Sequence, residues 1–133
     1  MSRTDDRPWT TLTERELSAL HDVEVGREWV RRAHGHLLAF HHAVGHGMDH
    51  FDDAEATLRA AGHPALADVI RDDLLPRGAV DDRWTYGLVE SFEASMADPV
   101  GKYEQTLRED LADGERHLVE RRQQARRRDR AQE

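Results

Sequence analysis

The chain has 133 residues, no cysteine, and 27 acidic against 19 basic side chains, a formal charge of −8. That length carries one domain with a real core and is short for two, and the lack of cysteine excludes disulfides, thiolate metal sites and cysteine nucleophiles. No apolar run approaches the roughly 18 residues of a membrane span, and Met1–Asp6 has no apolar stretch of the secretory type. A cytoplasmic protein without a membrane partner is therefore expected.

The charge is unevenly spread. Residues 119–133 hold six arginines against three acids, a local +3, so the remaining 118 residues carry −11. Such a tail attracts phosphates while the acidic body repels them. No aromatic side chain stands among the arginines to stack on a base, so the segment is expected to be a solvated helix end, and nucleic acid is not an expected partner.

In chain order, Thr11–Glu14 and Thr13–Glu16 both have capping-box spacing and predict a first helix carrying Leu12, Leu17 and Leu20. A long helical pattern follows from about residue 22 to 61, with Val30, Ala33, Leu37, Phe40, Val44, Met48, Phe51 and Leu58 as its apolar stripe. At the usual rise, about 40 residues would span about 60 Å, so a bend, a break or a partner is expected. Gly45 and Gly47 mark the place for a kink or a close helix crossing. Gly62 and Pro64 end this helix and start a shorter one with Leu66, Val69, Ile70 and Leu74. After a loop at Pro76-Arg77-Gly78, Asp81 or Asp82 is placed to cap a helix through Trp84, Leu88, Val89 and Phe92. Asp98-Pro99 reads as a cap and first-turn proline opening a final helix striped by Val100, Tyr103, Leu107, Leu111 and Leu118. Trp9, Trp29 and Trp84 read as core or interface anchors.

No strand pattern and no internal repeat is present. The expected fold is all-α, a bundle of four to five helices dominated by two long ones, the first kinked near Gly45 and Gly47. Its organisation is a flexible N-terminus over 1–10, one helical-bundle domain over 11–122, and an Arg-rich solvated or frayed tail over 123–133.

Chemistry concentrates in one place. Six of the nine histidines (His34, His36, His41, His42, His46 and His50) fall within seventeen residues of the long helix. Imidazole titrates near neutral pH and is the commonest side-chain ligand of transition metals. His42, His46, Asp49 and Asp53 stand at i, i+4, i+7 and i+11, stacked along the side away from the apolar stripe, with His50 one turn beyond His46. Two imidazoles four residues apart and a carboxylate three further on can share an ion. Zinc, nickel and iron all suit such donors, with a second helix or subunit completing the shell.

A second, inward set is also expected. With Val44 set toward the core, His41 lies about 60° and His34 about 80° from the core axis, on the flank of Asp52, while Glu55 lies about 20° from it. A carboxylate in that direction needs a partner. His34, His41, Asp52 and Glu55 are therefore a secondary polar site, for which Arg59, four residues after Glu55, is the competing partner.

Comparison with known site patterns narrows the chemistry. His46-Gly47-Met48-Asp49-His50 is similar to the His-x-x-Glu-His zinc peptidase motif, but the shorter Asp withdraws the would-be base, and no substrate-binding strand accompanies it. Ferritin-like di-metal bundles use Glu-x-x-His pairs, of which this chain has none; His46-x-x-Asp49 and Glu90-x-x-Glu93 are the nearest substitutes. Outside the cluster, His21 and His117 are the histidines placed to complete a site, with Glu24 or Asp113 nearby in sequence. No nucleophile elbow, phosphate loop or dinucleotide fingerprint is present, so no catalytic residue is assigned and enzymatic activity is not the leading expectation.

Transition-metal binding by the long helix is therefore the leading functional expectation. The competing one is a metal-free assembly module, homodimeric or bound to a protein partner, with the mid-helix glycines admitting another helix. A pH sensor built on the histidine cluster is the third.

Overall fold

A computed structural model of the chain describes residues 7–131. Residues 1–6 of the expected N-terminal segment, and 132–133 of the expected tail, lie outside the described residues. All regular structure among the described residues is helical, apart from one isolated antiparallel bridge between Val80 and Arg83. After a 3-10 turn at Pro8–Thr11 come α1 (Glu14–Ala60), α2 (Pro64–Val69), α3 (Thr85–Phe92), α4 (Asp98–Ala112) and α5 (Leu118–Ala131). Five-residue π turns, Ile70–Leu74 and Glu93–Ala97, extend α2 and α3. The all-α expectation holds.

Of the two capping boxes read in the sequence, the second starts α1. The Glu16 backbone N–H donates to Thr13 Oγ1 at 3.1 Å, and the Thr13 N–H donates back to Glu16 Oε1 at 2.9 Å. The first helix and the long helix of the sequence reading are one helix of 47 residues, because nothing between Leu20 and Val25 breaks the hydrogen-bond ladder. Its end is a Schellman turn: Gly62, at φ 88°, lets the His63 N–H reach the Leu58 carbonyl at 2.8 Å and its own N–H reach that of Arg59 at 3.1 Å. Helix α1 is continuous through Gly45 and Gly47, and no other element stands within 4 Å of where a Cβ would be at either position.

The other expected boundaries shift for local reasons. Asp81 takes a left-handed backbone (φ 54°) and caps nothing, and α3 opens after Trp84 with no side-chain cap. At Asp98-Pro99 the preceding Ala97 is already helical, so no side-chain cap forms there either. Instead the π turn widens the helix just before Pro99, whose ring has no N–H and crowds the carbonyl one turn back. The expected final helix is two helices. Asp113 (φ 51°) and Gly114 (φ 80°) turn left-handed, and the N–H groups of both point to the Arg108 carbonyl, which closes α4.

Two compact units are distinguished among the described residues, 7–31 with 96–131, and 32–95. In the first, Leu17, Leu20, Ala112 and Leu118 form the core, with Trp9, Leu12, Leu107 and Val119 packed on it. Tyr103, expected in the α4 stripe, is exposed, and the buried α4 face is Glu104, Arg108 and Ala112. In the second, Ala67, Ile70, Thr85 and Val89 are buried, while the α1 stripe from Ala33 onward is nowhere fully covered. Short helices supply too little area to bury it, so Phe40, Phe51 and Trp84 remain exposed. An ion-pair chain fastens α1 to α2 there: Arg59 donates to Glu55 at 3.1 Å and Asp68 at 2.9 Å, and Arg71 lies 3.4 Å from Asp68. Gly78 allows the loop to close on itself, since a Cβ there would overlap the Asp82 and Arg83 backbone.

Thr13→Ala removes one partner of the reciprocal cap. A loss of about 1 kcal/mol is expected in urea unfolding followed by circular dichroism, with the helical spectrum of the folded protein unchanged.

Candidate metal centre

In the first unit, α1 brings Arg27 against α4, and a buried carboxylate receives it. Glu104 is 4% exposed and Arg108 is 6% exposed. Arg27 Nη1 donates to Glu104 Oε2 at 2.7 Å, and Arg108 Nη1 donates to Glu104 Oε1 at 2.6 Å. Arg108 Nε also donates to the Gly114 carbonyl at 3.2 Å, tying the pair to the α4–α5 turn. Gly101 leaves room for the arrangement, because a Cβ there would stand 3.2 Å from Arg27 Nη2. Burial pushes the Glu104 carboxyl up, but Arg108 and then Arg27 outweigh it and hold the group below its ordinary value of 4.5.

Beside this clamp, α1 presents His21 and Glu24 one turn apart, and the first turn of α5 presents Glu120. One ligand atom from each lies within 4.8 Å of the others, the one such trio among the described residues. His21 Nδ1 is 3.3 Å from Glu120 Oε1. That charge contact lacks hydrogen-bond geometry, and His21 Nδ1 and Glu24 Oε1 are both shielded from solvent without a hydrogen-bond partner. Glu24 also lines a cleft of about 50 Å³, together with Glu104, Arg108, Arg116 and His117, large enough for one or two water-sized occupants. His117 holds a left-handed backbone (φ 58°) at the entry to α5, a conformation costly for a non-glycine residue.

The electrostatics mark Glu24 as the strained member. Burial first, then the charges of Glu120 and Glu104, raise its carboxyl above 4.5, and His117 and His21 only partly offset them. A group with a raised folded value destabilises the fold once ionised. Its penalty is absent below the unfolded carboxyl value, grows as pH rises toward the folded value, and is constant above it. A cation between the three side chains would remove that penalty.

The expected outward residues, His42, His46, Asp49, His50 and Asp53, are all exposed along α1. The inward set is dispersed among separate partners. His34 Nε2 meets Glu93 Oε1 at 3.0 Å and its ring stacks on Phe92, while His41 Nδ1 meets Thr85 Oγ1 at 2.5 Å. Glu55 takes the simpler partner, Arg59, and Asp52 is exposed. His21, His117 and Glu24 were legible as site completers; Glu104 and Glu120 were not singled out. The overlooked signal is a repeated His-x-x-Glu, at His21–Glu24 and again at His117–Glu120, the reverse order of the bundle motif considered from sequence. Two arginines of the basic tail are committed to ion pairs, Arg121 with Glu115 at 2.8 Å and Arg122 with Glu14 at 2.7 Å.

No family model matches the chain, and no curated protein or solved structure is significantly similar to it.

Two outcomes follow from these charges. Glu104→Gln leaves two arginines facing a neutral amide and is expected to cost about 3–5 kcal/mol of unfolding free energy. The wild-type contribution is present above pH 4.5 and fades as pH falls through the depressed Glu104 value. Glu24→Gln has the opposite sign: its melting temperature in metal-free buffer exceeds that of wild type at pH 7, and the gap closes as pH is lowered toward 4.5. Paired thermal melts check both, carried well below pH 4.5 for Glu104→Gln and from pH 8 down to 4.5 for Glu24→Gln.

Proposed function

We propose that this small helical protein binds a divalent transition metal, with His21, Glu24 and Glu120 as its ligands. The observation that carries the reading is the meeting of three ligand atoms within 4.8 Å, two of them shielded from solvent and without a hydrogen bond. An imidazole with two carboxylates suits zinc, iron or nickel, and three protein ligands leave a coordination position for water or a small anion. The raised Glu24 carboxyl supplies a driving force, since a bound ion replaces repulsion from Glu120 and Glu104 with attraction. The outward face of α1, His42, His46, Asp49, His50 and Asp53, is the second place an ion would go, and its binding would rest on exposed side chains alone.

Zinc titration by calorimetry and thermal melting separates the two places. Near-stoichiometric zinc is expected to raise stability, by about 2.7 kcal/mol at a hundred times Kd. His21→Ala and Glu24→Gln should abolish the effect while His46→Ala leaves it intact. Acidification should release the ion, because its ligands bind it only when deprotonated. The reverse pattern, loss with His46→Ala alone, assigns the ion to the outward face, and no binding by any form rejects metal binding.

A second reading, homodimeric assembly or a protein partner, is favoured by a separate observation. Trp29 is 61% exposed and Trp84 is 48% exposed, and open space lies beside Gly45 and Gly47. Large exposed aromatic side chains of this kind are enriched at interfaces. Sedimentation equilibrium across a hundredfold concentration range is expected to give a dimer mass that Trp29→Ala or Gly47→Leu reduces.

A further inference from the structure

The second unit contains a pocket of about 280 Å³ unrelated to the metal centre. Phe40, Val44 and Met48 of α1 form one wall, and Ala79 and Trp84 of the loop before α3 form the other. The lining is mostly apolar, and Arg77 is the one charged side chain in it. Arg77 Nε donates to the Asp73 carbonyl at 2.9 Å, which fixes the guanidinium while its two Nη groups make no hydrogen bond or ion pair with the described residues. This is notable in a unit where residues 32–95 hold five arginines against eleven carboxylates: the charge at the pocket has the minority sign. Thr85, at the pocket edge, is already engaged by His41, so Arg77 is the polar group left to orient a ligand. The loop shape is fixed by the close approach of Gly78 to the Asp82–Arg83 backbone and by the Ala79 N–H donating to the Arg83 carbonyl at 2.8 Å.

We infer that this pocket binds a small amphiphilic carboxylate, its apolar body against Phe40, Val44, Met48 and Trp84 and its carboxylate on Arg77. A preformed, mostly apolar concavity with a single orienting charge is the usual make-up of a small-molecule site, and a planar guanidinium matches a carboxylate with two parallel hydrogen bonds. Scaled from the roughly 150 Å³ that holds benzene, the volume admits a body of about ten non-hydrogen atoms. A medium-chain fatty acid and a fused aromatic acid both have that size. An open pocket and a ligand this small imply a Kd on the order of 1 mM or somewhat below.

Saturation-transfer NMR and calorimetry with octanoate, 2-naphthoate, octanol and octylamine test this on the full chain. Octanoate or naphthoate should bind saturably, at least fivefold tighter than octanol and octylamine, with a change in tryptophan emission that Trp84→Phe removes. Preference between the two acids distinguishes a flexible chain from a flat ring as the natural occupant. Arg77→Gln, an exposed position whose folding is checked by circular dichroism, should bring octanoate to the affinity of octanol while leaving octanol unchanged. The inference is overturned if no acid saturates by about 5 mM, if octylamine binds as tightly, or if Arg77→Gln has no effect. It is equally overturned if Trp84 emission follows protein concentration and not acid, which would assign the pocket to a second copy of the chain.

Discussion

The clamp of Arg27 and Arg108 on Glu104 is the interaction on which the first unit depends. It joins α1 to α4, and through the Gly114 carbonyl it also holds the turn that launches α5. Three charges taken largely out of water are costly, and the cost is met only because both carboxylate oxygens are occupied at 2.6–2.7 Å. A hydrophobic pair could bind the helices as tightly. It would not fix the rotation of α4, which the clamp does by turning Glu104 and Arg108 inward and leaving Tyr103 outside.

The cluster of His21, Glu24 and Glu120 inherits its character from that arrangement. Glu24 stands close enough to Glu104 and Glu120 to feel both charges, in a place where burial alone already disfavours ionisation. Arg27 and Arg108 are committed to Glu104, so their charge is already spent on that carboxylate. What remains beside Glu24 is the His21 nitrogen and the Glu120 carboxylate, and neither His21 Nδ1 nor Glu24 Oε1 has a hydrogen-bond partner. In the second unit the apolar stripe of α1 is long and its covering helices are short. The uncovered remainder includes the walls of the Arg77 pocket, so incomplete burial there creates a concavity as well as exposed aromatic surface.

Local signals in the sequence determined the helical content, the Thr13–Glu16 start of α1, its stop at Gly62-Pro64 and the preference of Glu55 for Arg59. Each depends on residues within one or two turns, where capping, glycine backbone freedom and i,i+4 reach act without help from the rest of the chain. The histidine cluster was equally plain, but density in sequence is not convergence in space. Along one straight helix, ligands i and i+4 apart face outward, and closing a shell takes a donor from another element. Tertiary structure alone decided that the donors meeting at ligand distance are His21 and Glu24 with Glu120, that Glu104 is buried between two arginines, and that Asp113 and His117 turn left-handed to split α4 from α5. The reason is that helix rotation and pairing are set by the sum of buried contacts over the whole unit, and no local window of residues contains that sum.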